Sequence, residues 1–183
     1  SLVDVVPNGV ELAEFDAVEA EKADSPTVCT VSRLTEKKRV DFVMKAFEKV
    51  AKEVPEAQLK IVGDGPEFDR LERLSKDLDA DIELLGYLPD KENVIRVMKS
   101  SHLFVSASVL EGFGMSIIEA AASGTPYLVS DIPPHVEVTK GEKGGLTFDR
   151  KSEEDLVDKM KKMLENDNLY HQKKMECSEL ASG

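Results

Sequence analysis

The chain has 183 residues, 41% hydrophobic and 33% charged, a composition of one soluble globular domain with a sizeable core rather than of a disordered or membrane-embedded chain. Its 24 Lys and Arg against 36 Asp and Glu give a formal net charge of -12, a field that repels phosphate backbones and removes nucleic acid from the expected partners. An anionic small ligand fits such a chain only where basic side chains and backbone N–H groups are locally focused.

In chain order, Ser1 opens inside the apolar run Leu2 to Val6 with no start signal before it, which reads as an excised piece. Residues 11–25 are acidic, Ala-rich and weakly patterned, and read as a connecting loop rather than core. Apolar runs of strand character then recur at 27–31, 59–62, 82–85, 103–107 and 127–129, each followed by a turn and a helical pattern. That alternation predicts an α/β fold built on a doubly wound parallel sheet. The first helix is the clearest: Val40, Val43, Phe47, Val50 and Val54 follow a 3.6-residue period and Pro55 stops it. Similar patterns cover 66–78, with Pro66 suited to the first helical position, 92–98 and 115–122, the last ended by Gly124 and Pro126. Beyond residue 150 the pattern is helical at 153–164 and 169–180, with Ser152 as N-cap and Glu154 and Asp155 in the first turn.

Cys29 and Cys177 form no metal spacing and read as reduced, structural thiols. His102, His135 and His171 are scattered and give a zinc site no support. No run approaches the ~18 apolar residues of a membrane span, and no signal peptide is visible.

In a doubly wound sheet, ligands bind beyond the carboxyl ends of the strands. The loops that matter are therefore 32–39, 63–66, 86–90, 108–114 and 130–134. The fourth holds Gly112 and Gly114 around Phe113 and leads into the helix that starts at Met115 and Ser116, an arrangement that offers free N–H groups and a helix dipole to a phosphate. Glu111 and Glu119 stand before that helix and in its second turn, as carboxylates that suit sugar and ribose hydroxyls. On pattern alone the same residues equally describe a glycine-rich helix start with two solvated glutamates. Arg33 and Lys38 in the first loop suit a diphosphate, although Arg33, Lys37, Lys38 and Arg39 also read as a solvated charge run. Asp64, in the turn Gly63-Asp64-Gly65-Pro66, is a candidate contact to base or ribose. The backbone around Leu88 is a candidate wall for the base, with Tyr87 a packing residue. Asp79-Ala80-Asp81 has the spacing of a metal-binding pair but precedes its strand, so it is expected on the edge away from the pocket. A response-regulator module would want clustered acids after the first strand, where Arg33 and Lys38 stand.

Taken together, these residues resemble the C-terminal domain of the GT-B-fold, family 4 glycosyltransferases. Pro7-Asn8-Gly9-Val10 resembles the interdomain segment, Ser32-Arg33-Leu34 with Lys38 the basic loop, Gly63-Asp64-Gly65-Pro66 the next loop, and Glu111-Gly112-Phe113-Gly114 with Glu119 the two-glutamate motif. Ser32 and Arg39 depart from the glycines usual around the basic loop. The resemblance implies an interdomain lead-in and connecting loop at 1–25, a Rossmann-like nucleotide-sugar-binding domain at 26–150 and C-terminal helices of the same domain at 151–183. It implies transfer of a sugar, with retention, from a UDP- or GDP-sugar to an acceptor hydroxyl, with no catalytic metal or other cofactor. Arg33 and Lys38 would hold the diphosphate, Glu111 the donor sugar, Glu119 the ribose, and the backbone at Phe113 to Ser116 phosphate and sugar. The acceptor would be bound mainly by an N-terminal domain absent here, leaving this piece alone inactive. The expected location is cytoplasmic, with membrane association only through a parent protein. A nucleotide-sugar-binding module without catalysis is the alternative.

Overall fold

A computed structural model describes residues 10–183. Most of the Pro7-Asn8-Gly9-Val10 segment and the apolar run before it lie outside them. In chain order the elements are α1 (Leu12–Asp16), β1 (Thr27–Val31), α2 (Val40–Glu53), β2 (Gln58–Val62), α3 (Phe68–Asp77), β3 (Asp81–Gly86), α4 (Lys91–Ser100), β4 (Leu103–Ser106), α5 (Met115–Ala122), β5 (Tyr127–Ser130), α6 (Pro133–Thr139), β6 (Gly145–Phe148), α7 (Glu153–Glu165) and α8 (Asp167–Ser182). The alternation read from the sequence is therefore present, with corrections. Residues 11–25 are not all connecting loop: α1 buries Phe15, and Val18 after it, against Ile95 of α4. A sixth strand, β6, was not among the five expected. Pro133 and Pro134 start α6 rather than ending a loop, because prolines are well placed in a first helical turn. Pro66, by contrast, lies before α3. The Glu67 N–H donates to the Leu34 carbonyl, so the chain turns once more before the helix begins at Phe68.

The six strands are all parallel, in the order β3-β2-β1-β4-β5-β6. Successive strand residues point to opposite faces, and each face has its own apolar layer. Val28, Leu59, Ile61, Leu103, Val105, Leu128 and Phe148 pack under α2 and α7, whose Val40, Val43, Phe47 and Val50 are buried as their period requires. Cys29, Phe104, Tyr127 and Val129 face α4, α5 and α8, so both cysteines are buried free thiols in that layer. The Ser152 hydroxyl accepts from the Asp155 N–H, capping α7. The strand order reverses between β1 and β4. At such a switch point the loops leaving adjacent strands diverge to opposite faces and open a crevice, and here those are the loops carrying Lys38 and Glu111.

Candidate functional site

The loop after β1 is fixed by contact with its neighbour. Gly63 and Gly65 lie so close to it that an added Cβ would meet the Ser32 carbonyl oxygen at 1.7 Å and the Leu34 carbonyl oxygen at 2.5 Å, at φ values of 136° and 159°. Only glycine permits that approach. The two loops are then joined by bonds from the Leu34 N–H to the Asp64 carbonyl (2.9 Å) and from the Ser32 N–H to the Val62 carbonyl (3.1 Å). Past Leu34 the chain makes a 3-10 turn, Glu36–Lys38, and reverses at Arg39, which is left-handed at φ 50°, ψ 42°. The departure from glycine at Arg39 thus leaves a glycine-like backbone in place. Its guanidinium donates to the Arg150 carbonyl at 2.8 Å and lies 4.0 Å over the Phe42 ring.

This turn sets Lys38 opposite the loop after β4. Its Nζ lies 2.9 Å from Glu111 Oε1, and the Val109 N–H donates to the Lys37 carbonyl at 3.0 Å, tying the two loops across the switch point. The Ser108 hydroxyl donates to the same Glu111 oxygen at 2.9 Å. Glu111 is therefore an oriented carboxylate rather than a solvated one. Beyond it Gly114 is left-handed at φ 64° as the N-cap of α5, and Phe113 stands 69% exposed beside the helix start.

Two clefts share the wall Val31-Ser32. One, of about 250 Å³, is lined by Lys38, Glu111, Phe113, Gly114, Met115 and Ser116. The other, of about 450 Å³, is lined by Arg33, Val62, Gly63, Asp64, Tyr87 and Leu88. They form a trough along the carboxyl edge of the sheet. The structure thus brings Lys38, Glu111 and the α5 N-terminus to one end and Arg33, Asp64 and Leu88 to the other. Tyr87 is corrected: it is 71% exposed on the trough rather than packed. Gly112 and Glu119 line neither cleft. Glu119 is half-buried one turn along α5. Burial raises its carboxyl pKa against the opposing charge of Lys91, and Glu14 raises it further. Asp79 and Asp81 lie at the amino end of β3, on the edge away from the trough.

His135 at the start of α6, read from the sequence only as one of three scattered histidines, stands at the site. Its ring is fully buried, with Nδ1 2.9 Å from the Ser130 carbonyl and Nε2 4.0 Å from Glu111 Oε1. No sequence motif links it to Glu111. Only the adjacency of β4 and β5 in the sheet brings the two together.

Comparison with known proteins follows the same lines. The family model for glycosyl transferases group 1 matches residues 13–177. The N-acetyl-alpha-D-glucosaminyl L-malate synthase of Bacillus anthracis is 35% identical over 127 residues, covering 68% of this chain and 32% of that protein. An uncharacterised glycosyltransferase of Haemophilus influenzae is 29% identical over 152 residues, covering 82% and 43%. Among solved structures, a mutant of TarM from S. aureus, in complex with fondaparinux, alpha-GlcNAc-glycerol and UDP, superposes with a TM-score of 0.83 at 25% identity over 94% of this chain and 34% of that one. The catalytic domain of cholesterol-alpha-glucosyltransferase from Helicobacter pylori shares the fold with a TM-score of 0.76 at 21% identity, over 86% of this chain and 98% of that one. The chain spans less than half the length of the curated relatives it matches here.

Proposed function

This chain belongs to the glycosyl transferases group 1 family, and from that premise we propose that it is the donor-binding half of a retaining, family 4 hexosyltransferase of the GT-B fold. It holds a UDP- or GDP-sugar while the sugar passes to an acceptor hydroxyl in the building of a polysaccharide or glycoconjugate. The observation that carries this reading is the trough at the switch point, with an oriented Lys38–Glu111 pair and a helix N-terminus at one end and Asp64 and Leu88 at the other.

In this reading the diphosphate lies over the shared wall. Lys38, Arg33 and the N–H groups of Met115 and Ser116 meet its charge, with no metal among the assigned groups. Glu111 accepts from donor-sugar hydroxyls. Its Oε1 already receives two donors, so it is assigned to positioning and electrostatics rather than attack. Leu88 and Tyr87 form the base end, and Glu119 reaches the ribose by a side-chain rotation toward the trough. The acceptor is bound mainly by a further, N-terminal domain, so these residues alone bind donor and turn over little. The protein is placed in the cytoplasm, meeting a membrane only through other parts of a longer parent. Among the described residues no helix is long and apolar enough to cross one.

The test is transfer of labelled sugar by the protein that carries both halves. Donor consumption that needs an acceptor and is lost in Glu111→Gln supports the enzyme. Binding without turnover there points to a nucleotide-sugar-binding module, and transfer unaffected by Glu111→Gln overturns the assigned site.

A further inference from the structure

The protonation of His135 follows from its partners. Nδ1 faces the Ser130 carbonyl, which only accepts, at 2.9 Å. It also faces the Ser130 hydroxyl at 3.1 Å, whose single proton is already given to the Ser108 carbonyl at 2.6 Å. Nδ1 must therefore carry a hydrogen in every state of the ring. The neutral ring then presents a bare lone pair at Nε2, which is buried without a hydrogen-bond partner and lies 4.0 Å from Glu111 Oε1. Two acceptors thus face each other, an arrangement tolerated because Lys38 and Ser108 both donate to that carboxylate oxygen.

Resting on the donor-site reading above, the geometry points to His135 as a positioning residue that takes over Glu111 from Lys38. When a nucleoside diphosphate sugar draws the Lys38 ammonium onto its phosphates, the released carboxylate closes the 4.0 Å gap to the ring, and Nε2 takes a proton from solvent and donates it in a hydrogen bond to Glu111 Oε1, keeping the carboxylate aimed at the sugar. Glu111, from the loop after β4, and Lys38, from the loop after β1, are the charged groups that act on the ring. Among the described residues no charged side chain of α5, α6 or β6 adds to them. In the free chain burial holds the ring's pKa below the usual histidine value, the Ser130 carbonyl and Glu111 act to raise it, and Lys38 lowers it. Moving the Lys38 charge off Glu111 removes a lowering influence and leaves a raising one unopposed, so donor binding and proton uptake are linked.

The experiment is titration calorimetry of the chain with UDP-glucose and UDP-N-acetylglucosamine, in buffers of different ionisation enthalpy. These diphosphate diesters do not themselves titrate near neutrality. Uptake of up to one proton per donor is expected, with affinity rising as pH falls from about 8 to 6 by at most about tenfold per unit. Both effects disappear in His135→Gln, whose amide supplies a neutral donor to Glu111. They disappear as well in Glu111→Gln, which leaves the imidazole in place and serves if the first variant does not fold. Binding without proton uptake, or uptake unchanged in either variant, overturns the role of His135 alone. Failure of both UDP-sugars, and of GDP-mannose titrated in the same way, to bind overturns the donor site and this role together.

Discussion

Replacing Arg39 by glycine, the residue usual at this position in the resembled family, separates what its backbone costs from what its side chain supplies. The left-handed conformation at φ 50° costs a non-glycine residue about 1–2 kcal/mol, and the substitution removes that strain. It also removes the guanidinium bond to the Arg150 carbonyl at 2.8 Å, about 1.5 kcal/mol at the low end for a partly exposed charged donor. The contact over Phe42 at 4.0 Å adds about 0.5–1 kcal/mol, and the looser unfolded chain of a glycine variant costs a further ~0.5–1 kcal/mol. The losses exceed the gain, so Arg39→Gly destabilises by about 0.5–2.5 kcal/mol, a fall in Tm of roughly 1–10 °C for a chain of this size. Thermal unfolding followed by circular dichroism measures it. Because the turn keeps its shape, donor affinity changes by less than about twofold. A more stable glycine variant would refute the reasoning, showing that the side-chain contacts do not offset the strain.

Gly63→Ala forces a Cβ to within 1.7 Å of the Ser32 carbonyl oxygen and parts the β1 and β2 loops, so it costs more than about 3 kcal/mol. A denaturant midpoint close to that of the parent chain would contradict the loop contact. Glu119→Gln raises stability at neutral pH, because burial disfavours the ionised carboxylate and lifts its folded pKa above the unfolded value. The penalty is present above the unfolded pKa and vanishes as pH falls below it, so the stabilisation seen at pH 7 fades by about pH 4. The same variant weakens donor binding if Glu119 serves the ribose, and an increment in stability that is flat with pH would count against the assigned cause.

The sheet was legible because its signals are local. Val40 through Val54 spell one buried helix face, and strands such as Thr27–Val31 are apolar on both sides because both faces of the sheet are covered. What escaped is decided by tertiary contact. Gly145–Phe148 is only four residues long and becomes a strand by pairing with β5. Leu12–Asp16 is one short turn whose Phe15 is buried only because α4 lies against it. In the site, Arg33, Lys38, Asp64, Leu88, Glu111 and the glycines around Phe113 were legible as types at the right strand ends. That Glu111 is held by Lys38 and Ser108, and that His135 stands behind it, depends on which strands are neighbours, a property that spacing along the chain does not carry. Glu119 shows the converse, since its sequence spacing from Glu111 did not by itself place its side chain on the trough.

Binding of a nucleotide sugar in the trough over Ser32 through Lys38 is tested most directly by calorimetric titration of the chain and of Lys38→Ala with UDP- and GDP-sugars at fixed ionic strength. Saturable binding of one of them is expected, with a loss in the variant of about ten- to a hundredfold, the worth of one charge-assisted contact to phosphate. Absence of binding by every nucleotide sugar, or an affinity unchanged in Lys38→Ala, would contradict it.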